Sequence, residues 1–251
     1  VSSQWPLIIG HRGASHDAPE NTLAAFRLAF AQGADGIEAD FRLTRDCRII
    51  CMHDETTRRT AGIDIPIKDA TLKELAFLDV GWWKGSGWVG ERIPTLEDVL
   101  AIMPQGRMIF IEIKCGVEIV PYLRDILRRP NVRMENIRLL VFDDELAGTL
   151  SSMMSGIGVC LNVEYTRNNR DEVWKPTQDD IIDALTQSGV VGLSSQNHTM
   201  LDEQFVGEVR RMGRELHVWT VDEVSEAQRY AGLGVDSLMT NRPGLLKSGL
   251  F

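Results

Sequence analysis

Eight short β-rich runs recur along the chain, at 7–11, 36–42, 107–114, 137–142, 158–163, 190–195, 215–221 and 236–241, with helical patterns between them. In 22–32, Leu23, Phe26 and Phe30 fall on one helical face, Asn21 or Thr22 stands where a cap is needed, and Gly33 follows as a stop. Thr95-Leu96-Glu97-Asp98 reads as a capping box after Pro94. Further helices are expected near 118–129, 144–154, 178–188, 202–212 and 223–231. Eight strands, each followed by a helix, in 251 residues is the arithmetic of an α/β fold of the (β/α)8 TIM-barrel type. An open, doubly wound sheet is the alternative.

The rhythm breaks once, across 54–92, where no long amphipathic helix or barrel strand is written. That stretch carries Trp82, Trp83 and Trp88 in "GWWKGSGWVG", too much aromatic surface for a solvated loop. The expectation is one domain over 1–251, with 54–92 inserted after the second barrel strand as a small cap-like subdomain.

Composition narrows the function classes. A formal net charge of −9 argues against a non-specific nucleic-acid binder, so an anionic ligand must be held by local cations. No apolar run reaches the ~18 residues of a transmembrane segment, and no basic–apolar leader is present. Cys47 and Cys51 would lie ~13 Å apart along one strand, beyond the ~7 Å reach of a disulfide. No C-x-x-C pair or zinc spacing occurs, so reduced thiols and a cytoplasmic setting are expected. The first residue is Val1 rather than Met, which leaves a removed leader, and hence a periplasmic or secreted setting, open. Oligomeric state is not legible.

In a parallel barrel, chemistry gathers at the C-terminal ends of the strands. The first strand ends in His11-Arg12. In the second, Glu38 and Asp40 share one face, and in the third Glu112 and Lys114 do the same. The seventh supplies Trp219. Three carboxylates converging on one mouth repel each other unless a cation lies among them, and hard oxygen donors suit Mg²⁺ or Ca²⁺. The bland reading is salt bridges to Arg12, Arg42 and Lys114. His53 lies outside the eight strands, on "RIICMHD". A two-residue turn at Asp46-Cys47 would pair positions summing to 93 and set His53 opposite Asp40, although Cys47 stands where tight turns prefer glycine. His16 and His198 read as solvated loop residues, His217 as a satisfied core histidine, and Glu20 as a support for Arg12.

"HRG" with "PENT", then "IEAD", "HD", "IPTLEDVL", "IEIK", "WTV" and "GVDSLMTNRPG", in this order, resemble the glycerophosphodiester phosphodiesterases over nearly the whole chain. The resemblance implies that Glu38, Asp40 and Glu112 hold a divalent metal, Mg²⁺ or Ca²⁺. It implies that His11 and His53 are the catalytic acid–base pair, that Arg12 and Lys114 bind phosphate, and that Trp219 lines the substrate pocket. The expected reaction is hydrolysis of a small glycerophosphodiester to sn-glycerol 3-phosphate and an alcohol. No serine or cysteine is placed as a nucleophile, so attack by the glycerol 2-hydroxyl through a cyclic phosphate is expected. The alternatives are a phospholipase D-like enzyme acting on lysophospholipids and a non-catalytic phosphoglycerol-binding barrel.

Overall fold

The computed structural model of the chain describes residues 5–167 and 173–250. The chain opens with β1 (Leu7–His11), α1 (Leu23–Ala31), β2 (Gly36–Leu43) and a short returning strand, β3 (Ile49–Cys51). Two single-turn helices, α2 (Arg58–Ala61) and α3 (Leu72–Leu75), precede α4 (Leu96–Ala101), β4 (Met108–Ile113), α5 (Val120–Leu127), β5 (Ile137–Val141) and α6 (Asp144–Met153). Then come β6 (Gly158–Val163), a two-residue ribbon β7 (Thr166–Arg167) and β8 (Trp174–Lys175), and α7 (Gln178–Ser188). The chain finishes with β9 (Gly192–Gln196), α8 (Glu203–Arg211), β10 (Glu215–Trp219), α9 (Val224–Leu233), β11 (Ser237–Thr240) and α10 (Pro243–Leu250).

The parallel strands run in the order β1-β2-β4-β5-β6-β9-β10-β11, and β11 pairs with β1 to close the circle. This is the (β/α)8 barrel, with all eight strand runs where the sequence puts them. The helices follow the local signals. Thr22 caps α1 by accepting from the Ala25 N–H, and Ala25, Phe26 and Ala29 bury its inner face. Thr95 and Asp98 form the capping box of α4. The helix expected over 118–129 is shorter: a 3₁₀ turn at Val117–Ile119 leads into α5, with Pro121 in its first turn. Among the described residues, no helix is long and apolar enough to cross a membrane, and all four cysteines are free.

Strand alternation sorts the side chains into two layers. Outward-facing residues such as Ile37, Ile111, Leu139, Leu161 and Leu193 pack against the helices in the main core. Inside the barrel, Ile9, Phe110, Leu140, Cys160 and Met239 form a second, smaller cluster. Two residues further along the chain stand His11, Glu112 and Asn162 on their strands, and Phe142 and Asn241 in the bends just past β5 and β11. The interior cluster is thus an apolar floor, and the next inward position on each strand faces the mouth.

The β2–β3 hairpin corrects the expected register. Phe41 pairs with Cys51 and Leu43 with Ile49, so paired positions sum to 92 rather than 93. Thr44 closes a three-residue loop, its N–H donating to the Arg48 carbonyl at 2.9 Å. Cys47 takes the left-handed conformation that such a loop needs at its third residue, with φ 60°. Asp40 therefore faces Met52, whose N–H donates to its carbonyl at 2.9 Å, and His53 lies one residue past the pairing, in a bend.

Within the insertion, Ile67, Ala70, Leu75, Leu78 and Val80 form a separate apolar cluster that is completed by Ile50, Met52 and Ile93 from the flanking chain. Its tryptophans lie on two 3₁₀ turns, Trp82–Lys84 and Ser86–Trp88. Trp83 donates its indole N–H to the Val80 carbonyl at 2.8 Å, and a Cβ at Gly81 would fall 2.0 Å from the Trp88 carbonyl oxygen, so only glycine fits there. Lys84 donates to the Ser15 carbonyl at 2.6 Å and ties the insertion to the loop after β1.

Candidate active site

The sequence-nominated residues converge at the C-terminal mouth of the barrel. β1 ends in a tight reversal, with Arg12 at φ 55° and Gly13 at φ 85°. A Cβ on Gly13 would lie 2.6 Å from the Ala25 backbone, so this glycine lets β1 turn directly onto α1. The reversal aims the Arg12 N–H at Glu38 Oε2 (2.9 Å). Its guanidinium meets Glu20 at 2.9 Å and Asp40 Oδ2 at 3.2 Å. Glu20 does support Arg12.

Glu38 and Asp40 are 1% and 0% exposed and Glu112 is 8% exposed, with Asp40 and Glu112 directly paired across β2 and β4. One oxygen from each of the three carboxylates lies within 4.8 Å of the others. Glu38 Oε1 has no hydrogen-bond partner among the described residues. Asp40 Oδ1 and Glu112 Oε1 face the Lys114 ammonium, the former at 3.4 Å. Burial, together with Asp40 and Glu112, pushes the Glu38 carboxyl well above its usual range, and burial and Asp40 lift Glu112 to about 7. Burial also works against the Asp40 charge, but Arg12 and Lys114 hold that carboxyl low. Three buried carboxylates that cannot all ionise together, with an oxygen left unpartnered, fit a divalent oxygen-coordinated cation. Glu38, Asp40 and Glu112 are the residues that would hold it.

Both histidines are held by Nδ1. His11 Nδ1 lies 2.8 Å from Asn241 Oδ1, and its Nε2 lies 3.9 Å from Glu38 Oε2. Burial first, and then the Arg12 charge, pushes His11 down to about 4. His53 Nδ1 lies 2.8 Å from Asp54 Oδ1. Asp54 takes two hydrogen bonds from Arg59, which also forks onto Glu20 at 2.7 and 2.8 Å. Trp219 packs edge-on to Phe142, ring centroids 6.0 Å apart, and Lys114 Nζ lies 5.4 Å over the same Phe142 ring.

Four supporting residues escaped the sequence reading. Asn21, considered only as a cap, instead clamps Asp40: its Nδ2 donates to Asp40 Oδ2 at 2.8 Å and its Oδ1 accepts from the Asp40 N–H at 3.2 Å. Among the described residues Arg42 makes no carboxylate bridge; it donates to the His53 carbonyl (2.8 and 3.0 Å) and the Lys114 carbonyl (2.7 Å), binding hairpin to strand. Asp222 and Asn241 reach His11 from the far end of the sequence. His198 is no solvated loop residue, since it stacks on Tyr165 at 4.4 Å with Trp174 on its edge. His217, as expected, is a core residue, 3% exposed and 2.8 Å from Ser237 Oγ.

Comparisons with known proteins address the fold and the family. The sequence model of the Glycerophosphoryl diester phosphodiesterase family matches residues 11–245. A glycerophosphodiester phosphodiesterase of Caldanaerobacter subterraneus subsp. tengcongensis is 32% identical over 252 residues, spanning 96% of each chain. Among solved structures, a phosphodiesterase of Oleispira antarctica in complex with the product sn-glycerol-3-phosphate superposes with a TM-score of 0.85 at 26% identity, covering 98% of this chain and 97% of its own. The glycerophosphodiester phosphodiesterase of Thermotoga maritima gives a TM-score of 0.76 at 26% identity, covering 97% of both chains. With its barrel, its mouth and its sequence all of one kind, the chain belongs to the glycerophosphoryl diester phosphodiesterase family and is a phosphodiester hydrolase.

Proposed function

We propose that the enzyme cleaves glycerophosphodiesters to sn-glycerol 3-phosphate and an alcohol, with a divalent cation on Glu38, Asp40 and Glu112 and with His11 and His53 moving the protons. The observation that carries this reading is the pair of histidines near a cluster of buried carboxylates, each tied through Nδ1 and each with no hydrogen bond at Nε2 among the described residues. When bound, the cation takes up carboxylate charge and polarises a phosphoryl oxygen, leaving Arg12 and Lys114 to the phosphate.

His11 is the base. Its Nδ1 meets a neutral amide, and burial keeps the ring uncharged, so Nε2 carries the lone pair that accepts the proton of the glycerol 2-hydroxyl. His53 is the acid. Burial lowers the ring's pKa on balance, but Asp40 and the Asp54 carboxylate at Nδ1 pull the other way and favour the imidazolium that protonates the leaving alkoxide from Nε2. The 2-hydroxyl attacks phosphorus, the alkoxide leaves with the His53 proton, and a cyclic 1,2-phosphate remains. Water then opens the ring with the roles reversed: His53 takes the water's proton and His11 returns its own to O2.

The activity is tested with purified protein on glycerophosphocholine, glycerophosphoethanolamine and lysophosphatidylcholine, with and without EDTA. Metal-dependent release of sn-glycerol 3-phosphate from the first two supports the reading; lysophosphatidic acid from the third, with no turnover of the others, would replace it. The cyclic route is tested with a propane-1,3-diol phosphodiester carrying the same alcohol. It should turn over orders of magnitude more slowly, and a similar rate would mean that water attacks directly.

A further inference from the structure

The inward positions just above the apolar floor of the barrel carry the chemistry of the mouth. His11 stands above Ile9 and Glu112 above Phe110, each two residues further along its strand, and Asn241 follows Met239 by two in the bend just past β11. β6 obeys the same rule: Cys160 lies in the floor and Asn162 stands above it. By strand alternation, then, Asn162 points into the same mouth as His11 and Glu112. No part of the reaction above uses it.

Asn162 is 3% exposed, and neither its Nδ2 nor its Oδ1 has a hydrogen-bond partner among the described residues. Its Cα partner on β9 is Ser194, fully buried, whose Oγ is likewise unpartnered. Ser194 also faces inward, because a Cβ on Gly192, two residues before it, would lie 3.2 Å from Cys160 Sγ. On the next strand, β10, Trp219 packs against the floor cluster, and its buried indole N–H has no partner among the described residues. Buried polar groups are nearly always paired, and an unpaired carboxamide on β6, hydroxyl on β9 and N–H on β10 are costly unless something satisfies them. β9 and β10 stand across the barrel from β2 and β4, which carry the carboxylates, and β6 stands across from β1, which carries His11.

We propose that Asn162, with Ser194 and the Trp219 indole, binds the free primary hydroxyl of the glycerol moiety, so that the enzyme selects glycerol over other alcohols with a hydroxyl next to the ester. This rests on the hydrolytic reading above. A primary hydroxyl is a donor and an acceptor at once: it donates to Asn162 Oδ1 and accepts from Asn162 Nδ2 or Trp219 Nε1. With the 2-hydroxyl at His11 and the phosphate at Arg12 and Lys114, the third substituent of the glycerol is left to reach the opposite wall. An apolar pocket would not tell this hydroxymethyl from hydrogen by much, whereas a wall of unpaired polar groups rejects a substrate that lacks the hydroxyl.

The test compares glycerophosphocholine with the 2-hydroxyethyl diester of phosphocholine. Both keep choline as the leaving alcohol and a hydroxyl on the carbon next to the ester; only the hydroxymethyl differs. The wild-type enzyme should prefer the glycerol diester by about 100-fold or more in kcat/KM. In Asn162→Leu and Asn162→Ser that ratio should fall to within about fivefold. Because each ratio is taken within one preparation, a reduced folded fraction cancels, and Asn162→Ser keeps the test open if the leucine does not fold. A wild-type ratio near one, or a ratio unchanged in the variants, overturns the proposal and leaves Asn162 as the seat of a structural water. Hydrolysis of neither diester by the wild type fails the reaction itself, and the proposal with it.

Discussion

Asn241 Oδ1 lies 2.8 Å from His11 Nδ1 while the same carboxamide donates through Nδ2 to Asp222 Oδ2 at 2.6 Å. A carboxylate only accepts, so Asp222 fixes which end of the amide faces it, and the end that faces His11 is the acceptor. His11 must then carry its proton on Nδ1 and keep Nε2 for chemistry. Replacing Asn241 with Leu should lower kcat by about 100-fold while leaving KM within a few-fold, since the ring loses its tautomer rather than its place. ¹⁵N shifts of the His11 ring give a second measure: Nε2 unprotonated in the wild type, mixed tautomers in the variant. A variant with wild-type kcat would show that the tautomer needs no such guide.

His53 and His11 separate by leaving group. With choline leaving, His53→Ala and His11→Ala should each cut kcat by about 100- to 10,000-fold. With p-nitrophenol leaving, His53→Ala should fall far less, because nitrophenolate departs without a proton, while His11→Ala stays slow. Equal losses on both substrates, measured by steady-state kinetics, would count against the division of labour.

The carboxylate cluster predicts a stabilising cation. At a Mg²⁺ or Ca²⁺ concentration 100 times its Kd, binding adds about 2.7 kcal/mol, which in a domain this size raises Tm by roughly 5–10 °C. Glu112→Gln and Asp40→Asn should lose both that shift and more than about 99% of the activity. Full activity after exhaustive dialysis against EDTA would remove the metal from the mechanism.

At the opposite end of the barrel, Glu215 takes two hydrogen bonds of 2.7 Å from Arg138 and lies 3.2 Å from His217 Nε2. Burial alone would raise its carboxyl; the hydrogen bonds from His217 and Arg138 outweigh it and hold the group at about 2, below the ordinary 4.5. A carboxyl lowered on folding stabilises the fold fully above 4.5, and that contribution drains away as pH falls toward 2. Glu215→Gln should therefore make the acid limb of stability against pH shallower in that window, by up to about one proton. Urea midpoints at a series of pH values measure the slope, and identical slopes would mean that Glu215 titrates like a free glutamate.

Much of this was legible in the residues because two rules act locally. The eight strands are apolar runs between helix signals, and Glu38 with Asp40, or Glu112 with Lys114, share a face at a spacing of two. What failed was register and reach. Cys47 is a poor residue for a two-residue turn, and its left-handed φ goes with a three-residue loop that moves His53 past the pairing. Asn241 and Asp222 lie 230 and 211 positions from His11, and only closure of β11 onto β1 brings them to it. Asn162 carries no motif at all. Its importance rests on what lies two residues before it in the strand and on which of its atoms find no partner.

That two-residue step has an evolutionary consequence. Floor and mouth are written at different positions of the same strands, so selection can edit one without dismantling the other. Trimming Ile9 or Leu140 to alanine opens a void and costs about 2–5 kcal/mol of stability. Exchanging Phe142, 42% exposed at the rim, removes little packing and redraws what the enzyme meets. New substrate preferences in this lineage should therefore accumulate at the upper member of each pair, while the lower member drifts only among residues of similar volume.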